Sequence, residues 1–254
     1  MRKTRLTNLP APYLKRLSVR DDASLGGDYP FNLPWLDRDF SLDFVTPVTI
    51  IVGENGTGKS TLIEAVAALC GYDEAGGGKG YRPLDHSLAV DRSGALLASA
   101  LRASWLPKVT AGWFFRAESF FSVARFLDEA ARDAHAAPPD FLSWSHGEGF
   151  VRFFEERMSR QGIYFLDEPE SALSPKRQLE LLRLLHQIQE TASAQIIMAT
   201  HSPILMAVPG ARLLEITRGG LIETQLRQTR HFRLYQDFTS DPEDFIERAL
   251  RDEI

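Results

Sequence analysis

Cysteine is almost missing from this chain: Cys70 stands alone among 254 residues. No intramolecular disulfide can form, and the lone thiol fits a reducing compartment in which a buried cysteine packs as a small apolar side chain. Long apolar runs are missing too. Nothing approaches the roughly 18 consecutive apolar residues of a membrane span, and the opening MRKTRLTNLPAPYLKRL has no continuous apolar stretch of the secretory type. A cytoplasmic protein is expected. Positive charge does not dominate: Lys plus Arg number 29 against 34 Asp plus Glu, a net charge of −5, which disfavours indiscriminate binding to nucleic acid. Only the stretch over residues 1–20, with Arg2, Lys3, Arg5, Lys15, Arg16 and Arg20 and no acid, keeps local phosphate tracking open. Tandem repeats, heptad arrays and Cys/His clusters of zinc spacing are absent. What is present, 44% hydrophobic and 25% charged residues, is the composition of an ordinary globular chain, and a single domain over residues 1–254 is expected.

Four short apolar runs bounded by turn signals read as buried parallel strands: Val48 to Val52, Gly112 to Phe115, Ile163 to Leu166 and Gln195 to Met198. Helical patterns follow them at Ser60 to Leu69, at Phe120 to Ala131, and over the LELLRLLHQI stripe after Ser174 and Pro175, read as a cap and a first-turn proline. This alternation predicts an α/β fold with a mainly parallel central sheet. Tyr13 to Val19 and Phe40 to Phe44 read as flanking antiparallel strands. Ala211 to Ile216 and Leu221 to Gln225, joined through Gly219 and Gly220, read as a hairpin. A last helix is expected to start near Asp241 and Pro242. The GGGKGYR segment at 76–82 reads as a mobile surface loop, with a second anion nest around Lys79 and Arg82 as the alternative.

The chemistry sits at the ends of the strands. Gly53-Glu54-Asn55-Gly56-Thr57-Gly58-Lys59-Ser60-Thr61 satisfies G-x-x-x-x-G-K-[ST] between a strand and a helix. In such a loop, backbone N–H groups and the helix N-terminus face phosphate oxygens, Lys59 reaches the β- and γ-phosphates, and Ser60 holds Mg²⁺. The third strand ends in Asp167 and Glu168. Two adjacent carboxylates at the tip of an apolar strand call for a cation or a water, so Asp167 is assigned to Mg²⁺ and Glu168 to polarising an attacking water. The fourth ends in Thr200-His201-Ser202, and His201 falls where α/β sheets place their ligands. The second runs into Arg116-Ala117-Glu118. His186 lies in the leucine-striped helix, and His86, His135 and His231 fit loops or surface.

GENGTGKST, SHGEG, YFLDEPESALS and MATHSP, in this order, resemble the motifs of the ABC-type ATPase superfamily of P-loop NTPases: Walker A, signature, Walker B with D-loop, and H-loop. They span Gly53 to Pro203. The resemblance implies ATP with Mg²⁺ sandwiched in a head-to-tail homodimer. Gly53, Asn55, Gly56, Thr57, Gly58, Lys59, Ser60 and Thr61 would hold nucleotide, Glu168 would be the general base, and His201 would meet the γ-phosphate. Ser145, Gly147 and Glu148, in a short helical subdomain near 119–160, would act in trans, with Ser171 to Ser174 as the D-loop. Two positions depart from the pattern: His146 replaces a first signature glycine, and Ser174 stands where Asp is common. No glutamine lies between Lys59 and Ser145, so the usual glutamine after the second strand is replaced, with Glu118 the candidate metal-side residue and Arg116 the second. Tyr13 or Arg20 is named for adenine.

FLSWSHGEGF carries S-x-x-E before an apolar run, a capping box that starts a helix at Ser145. A cap requires neither Gly147 nor Gly149, and glycine there costs up to about 1 kcal/mol of helix propensity; close approach to a phosphate would explain them. GENGTGKSTLIEAV is more similar to the soluble RecF- and SMC-like branch than to transporter subunits. The 86 residues from Lys59 to Ser145 leave no room for an SMC coiled coil, and the residues after His201 are expected to be too few for a Toprim nuclease domain. The implied function is an ATP-hydrolysing switch acting on a protein effector or nucleic acid, without a membrane partner. The alternative is the nucleotide-binding subunit of an ABC transporter.

Overall fold

The apolar runs and the helical patterns between them build one central sheet covered on both faces. The structure, a computed structural model, describes residues 6–79, 93–116 and 146–253. In chain order the elements are β1 (Leu14–Val19), β2 (Ser41–Asp43), β3 (Val48–Val52), α1 (Lys59–Leu69), α2 (Ser93–Ala100), β4 (Leu101–Trp105), β5 (Gly112–Arg116), α3 (His146–Met158), β6 (Ile163–Asp167), α4 (Pro175–Thr191), β7 (Gln195–Ala199), α5 (Pro203–Met206), β8 (Arg212–Thr217), β9 (Gly220–Glu223), α6 (Arg230–Ser240) and α7 (Pro242–Leu250). The main sheet has the order β5-β6-β7-β3-β8-β9. Its first five strands are parallel and β9 returns antiparallel along β8. The four expected parallel strands are therefore neighbours, with β3 between β7 and β8.

Every residue of β3, β6 and β7 is buried, as a parallel strand covered on both faces requires. Successive side chains point to opposite faces, so the strands feed two cores. Ile51, Phe165 and Ile197 join Leu62 and Val66 of α1 and Leu97 of α2. Ile50, Leu166 and Met198 join Phe150 and Phe154 of α3 and Leu181 and Leu185 of α4. In the second core, rings pack edge to face, Phe115 with Phe154 at 4.6 Å and Phe150 with Phe154 at 4.8 Å between centroids. Such geometry adds about 0.5–1.5 kcal/mol per pair beyond burial. It pins α3, whose first turn carries Gly147 and Glu148, against β5.

The flanking strands form a sheet of their own, order β2-β1-β4, with Arg16 opposite Asp43 and Leu17 opposite Ala103. Gln195 ties this sheet to the central one: its Oε1 accepts the N–H groups of Tyr13 and Leu14 at 2.8 Å, and its Nε2 donates to Leu14 O at 3.0 Å.

Several expectations change. Ser174 occupies the position before α4, but its side chain makes no capping hydrogen bond, and Pro175 supplies the start. The glycine cluster is not a free loop through Lys79: Gly77 exchanges both backbone hydrogen bonds with Phe114, at 2.8 and 3.0 Å, extending the sheet past β5. Lys79 donates to the Thr110 hydroxyl at 2.5 Å instead of lining an anion nest. The helix expected at Phe120 to Ala131, the cap at Ser145 and Arg82 lie outside the described residues. Asp241 does cap α7, accepting from Asp244 N at 3.1 Å. Among the described residues no helix is long and apolar enough to cross a membrane.

Candidate nucleotide site

The loop after β3 is braced from outside. Gly58, the residue before α1, has φ +88°, the left-handed region that glycine favours, and a Cβ there would lie 2.7 Å from Leu33 Cδ2. Trp35 Nε1 donates to Thr57 O at 2.8 Å, and Thr57 Oγ1 donates to Glu54 O at 2.8 Å. Asn55 and Gly56 form the exposed tip, while Thr61 is buried and bonded to the Tyr29 hydroxyl. Lys59 is 4% exposed and folds back so that Nζ donates to Gly53 O and Glu54 O, each at 3.0 Å. Burial pulls its pKa below the usual lysine value, against the attraction of Glu168, Asp167, Glu170 and Glu54.

Parallel register brings the other strand ends level with this loop, since Asp167 pairs with Arg116 on one side and Ala199 on the other. Ser60 Oγ donates to Asp167 Oδ1 at 3.0 Å. Arg116 Nε lies 3.9 Å from Asp167 Oδ2, and its Nη1 donates to Glu64 Oε1 at 2.7 Å and to Glu74 O at 2.9 Å. Of the two residues named for the missing glutamine, Arg116 is thus seated beside Asp167, and Glu118 lies outside the described residues.

Glu168 is held with φ +46° and ψ +54°, a left-handed conformation in a residue with a Cβ, and its N–H donates to Ala199 O at 3.0 Å. Such a backbone costs on the order of 1–3 kcal/mol and clusters at functional sites. Its carboxylate Oε1 lies 3.3 Å from Nε2 of His201. That nitrogen is buried and makes no hydrogen bond of good geometry among the described residues. Nδ1 of His201 is 2.8 Å from Nε2 of His231. The His201 backbone N–H donates to Glu170 Oε1 at 2.5 Å, and Thr200 Oγ1 donates to Glu170 Oε2 at 2.7 Å. Burial raises the pKa of Glu170, against these two hydrogen bonds.

Lys59 and Ser60, picked out by the phosphate-loop pattern, and Asp167, Glu168 and His201, picked out at the ends of apolar strands, are thus gathered in one place. Ser145 lies outside the described residues. Glu170, Trp35 and His231 were not picked out. Glu170 had a signal, as a third acid beside an apolar strand end; His231 had none, because nothing local marks a residue 30 positions from its partner. Tyr13 cannot face adenine: it is fully buried, with its hydroxyl donating to Ser193 O at 3.2 Å. Arg20 is paired with Asp22 at 2.8 Å, and Arg16 with Asp43, so two cations of the basic N-terminal run are already engaged. Cys70 is buried, its thiol pushed up to about 12 by desolvation, as a packing residue should be.

Known proteins resemble this chain. Residues 134–207 match the family described as "AAA domain, putative AbiEii toxin, Type IV TA system", and residues 31–99 match the family described as "AAA domain". The chain is 30% identical over 195 residues to the hemin import ATP-binding protein HmuV of Bordetella avium (strain 197N), covering 68% of this chain and 73% of that one. It is 30% identical over 192 residues to the methionine import ATP-binding protein MetN of Xanthomonas axonopodis pv. citri (strain 306), covering 68% and 56%. The SMC head domain from Thermotoga maritima superposes with a TM-score of 0.45 at 16% identity, covering 84% and 99%. Identity at this level across nearly three quarters of an ATP-binding relative means that the chain belongs to the ABC-type ATPase superfamily of P-loop NTPases.

Proposed function

We propose that this protein is an ATP-hydrolysing switch of the RecF- and SMC-like branch: one ABC-type ATPase domain, cytoplasmic, that closes as a head-to-tail homodimer on ATP, reopens on hydrolysis, and acts on a protein effector or a nucleic acid. The observation that carries this reading is the convergence of Lys59, Ser60, Asp167, Glu168 and His201 at the carboxyl ends of β3, β6 and β7, where open α/β sheets bind ligands.

The residues suit a nucleotide with Mg²⁺. A buried lysine surrounded by carbonyls and carboxylates has donors to offer a phosphate, and Nε2 of His201 is a buried nitrogen without a hydrogen bond among the described residues. Ser60 and Asp167 provide two oxygens 3.0 Å apart, a partial set that phosphate oxygens and water complete. These two would hold Mg²⁺, whose charge would stabilise the phosphates during transfer. Lys59 and the N–H groups of Gly53 to Thr61 would bind the β- and γ-phosphates. Glu168 would take the proton of the attacking water, and His201 would donate to the γ-phosphate. Ser145, Gly147 and Glu148 would serve the site of the other protomer.

Phosphate release by the purified chain tests this. The wild type hydrolyses ATP, and Glu168→Gln binds it but turns over about 100-fold more slowly or worse, the range for losing a general base. Equal rates would refute the assignment.

The import relatives favour a second reading, the ATP-binding subunit of a membrane transporter. A transporter subunit isolated under native conditions carries a membrane partner; the switch does not.

A further inference from the structure

We propose that His231, on the first turn of α6, is a positioning residue that sets the tautomer of His201 and so decides which ring nitrogen carries the proton facing Glu168. The inference rests on the reading of His201 as the residue that meets the γ-phosphate.

The argument starts from proton bookkeeping. A neutral imidazole has one donor and one acceptor nitrogen. Nε2 of His201 lies 3.3 Å from Oε1 of Glu168 without the geometry of a hydrogen bond; a bare nitrogen lone pair held that close to a carboxylate is repelled by it, so the proton belongs on Nε2. Nδ1 of His201 is then a bare acceptor. The atom 2.8 Å away, Nε2 of His231, must be the donor, and the carboxylate thereby assigns both rings. Burial first and Lys59 second hold His201 below the ordinary histidine range, and burial followed by His201 does the same for His231.

His231 is placed for this by a short, anchored helix start. Thr229 is fully buried and caps α6, its hydroxyl accepting from Phe232 N at 3.2 Å. The next residue, Arg230, lies 3.3 Å from Glu54 of the phosphate loop. The first turn of α6 is therefore tethered to β3 and β7 loops at once. Without the His231 donor, Nδ1 would lose its partner and the ring could exchange its proton to the wrong nitrogen, leaving a lone pair facing an anion.

Two measurements on the whole protein separate this inference from the reading it rests on. The first is the ¹⁵N shift pattern of the His201 ring without nucleotide. Wild type should be the Nε2–H form, His231→Ala a mixture, and His231→Gln, whose amide nitrogen reaches the same place as a donor, the Nε2–H form again. A wild-type Nδ1–H form, or no change in His231→Ala, overturns the proposal. The second is steady-state hydrolysis. His231→Ala should lower kcat about fivefold, the effect of one hydrogen bond, with KM moved less than about twofold, and His231→Gln should recover it. Failure of His231→Gln to recover both the tautomer and the rate contradicts a donor role. If the tautomers respond as described while the rate does not, the positioning stands and the γ-phosphate role of His201 fails.

Discussion

Two helices begin at the same site and are built in opposite ways. α1 starts with buried Lys59 and buries Leu62, Ile63, Ala65 and Val66 in the core behind it. α6 buries none of its own residues and leaves Leu234, Tyr235 and Phe238 exposed. It nevertheless delivers Arg230 to Glu54 of the phosphate loop, where α1 begins, and His231 to His201. The difference teaches that one half of the site is fixed by hydrophobic burial and cannot move without unfolding. The other half is attached by a few polar contacts, each worth about 1 kcal/mol, and can be loosened alone.

Breaking the buried side has the largest effects. Lys59→Ala should weaken ATP binding on the order of 100-fold, measured by calorimetry, because it removes a desolvated charge from the phosphates. Arg116→Met should come next. It breaks the buried ion pair between Arg116 and Glu64 of α1 and removes the cation 3.9 Å from Asp167; breaking a buried pair of this kind costs about 3 kcal/mol, a drop of roughly 6–12 °C in Tm for a chain of this size.

Acid should act on the loosely attached side. Both imidazoles are held below their ordinary range, chiefly by burial. The unfolded chain therefore binds protons near pH 6.5 that the folded site refuses, so their contribution is complete above that value and is lost as pH falls. Melting at about pH 7.5 and about pH 5.5 should show the decline, and His231→Gln should reduce it. Smaller still, Thr229→Ala should cost about 1 kcal/mol through the lost cap, seen as faster amide exchange in the first turn of α6 and little change elsewhere. Arg230→Ala should change stability by no more than about 0.5 kcal/mol, because both partners of its ion pair are exposed. A global loss of stability from either of the last two would erase the contrast between the helices.

The same contrast governs what could be read from the sequence. The phosphate loop is nine consecutive residues, and its strand and helix follow from an apolar run and a helical period, so Gly53 to Leu69 was legible. Asp167, Glu168 and His201 were legible because polar residues at the tips of apolar strands have few structural reasons to be there. β4 was not: in LRASW only Leu101 is buried, Arg102 and Ser104 are exposed, and the segment becomes a strand by pairing with β1. The glycine cluster read as a loop because the pairing of Gly77 with Phe114 of β5 is made by backbone, which composition does not encode. The adenine assignment to Tyr13 failed because its ring packs with Ala11 and Val109 and its hydroxyl meets Ser193, far along the chain. His231 was invisible for the same reason: its contact with His201 exists only once the start of α6 meets the loop after β7.

The central claim is that two such sites complete each other around ATP. Light scattering of Glu168→Gln with ATP and Mg²⁺ tests it most directly. The account predicts a stable dimer with ATP and a monomer without it, and no dimer when Ser145→Arg is added although one subunit still binds nucleotide. A Glu168→Gln protein that binds ATP and remains monomeric would contradict it.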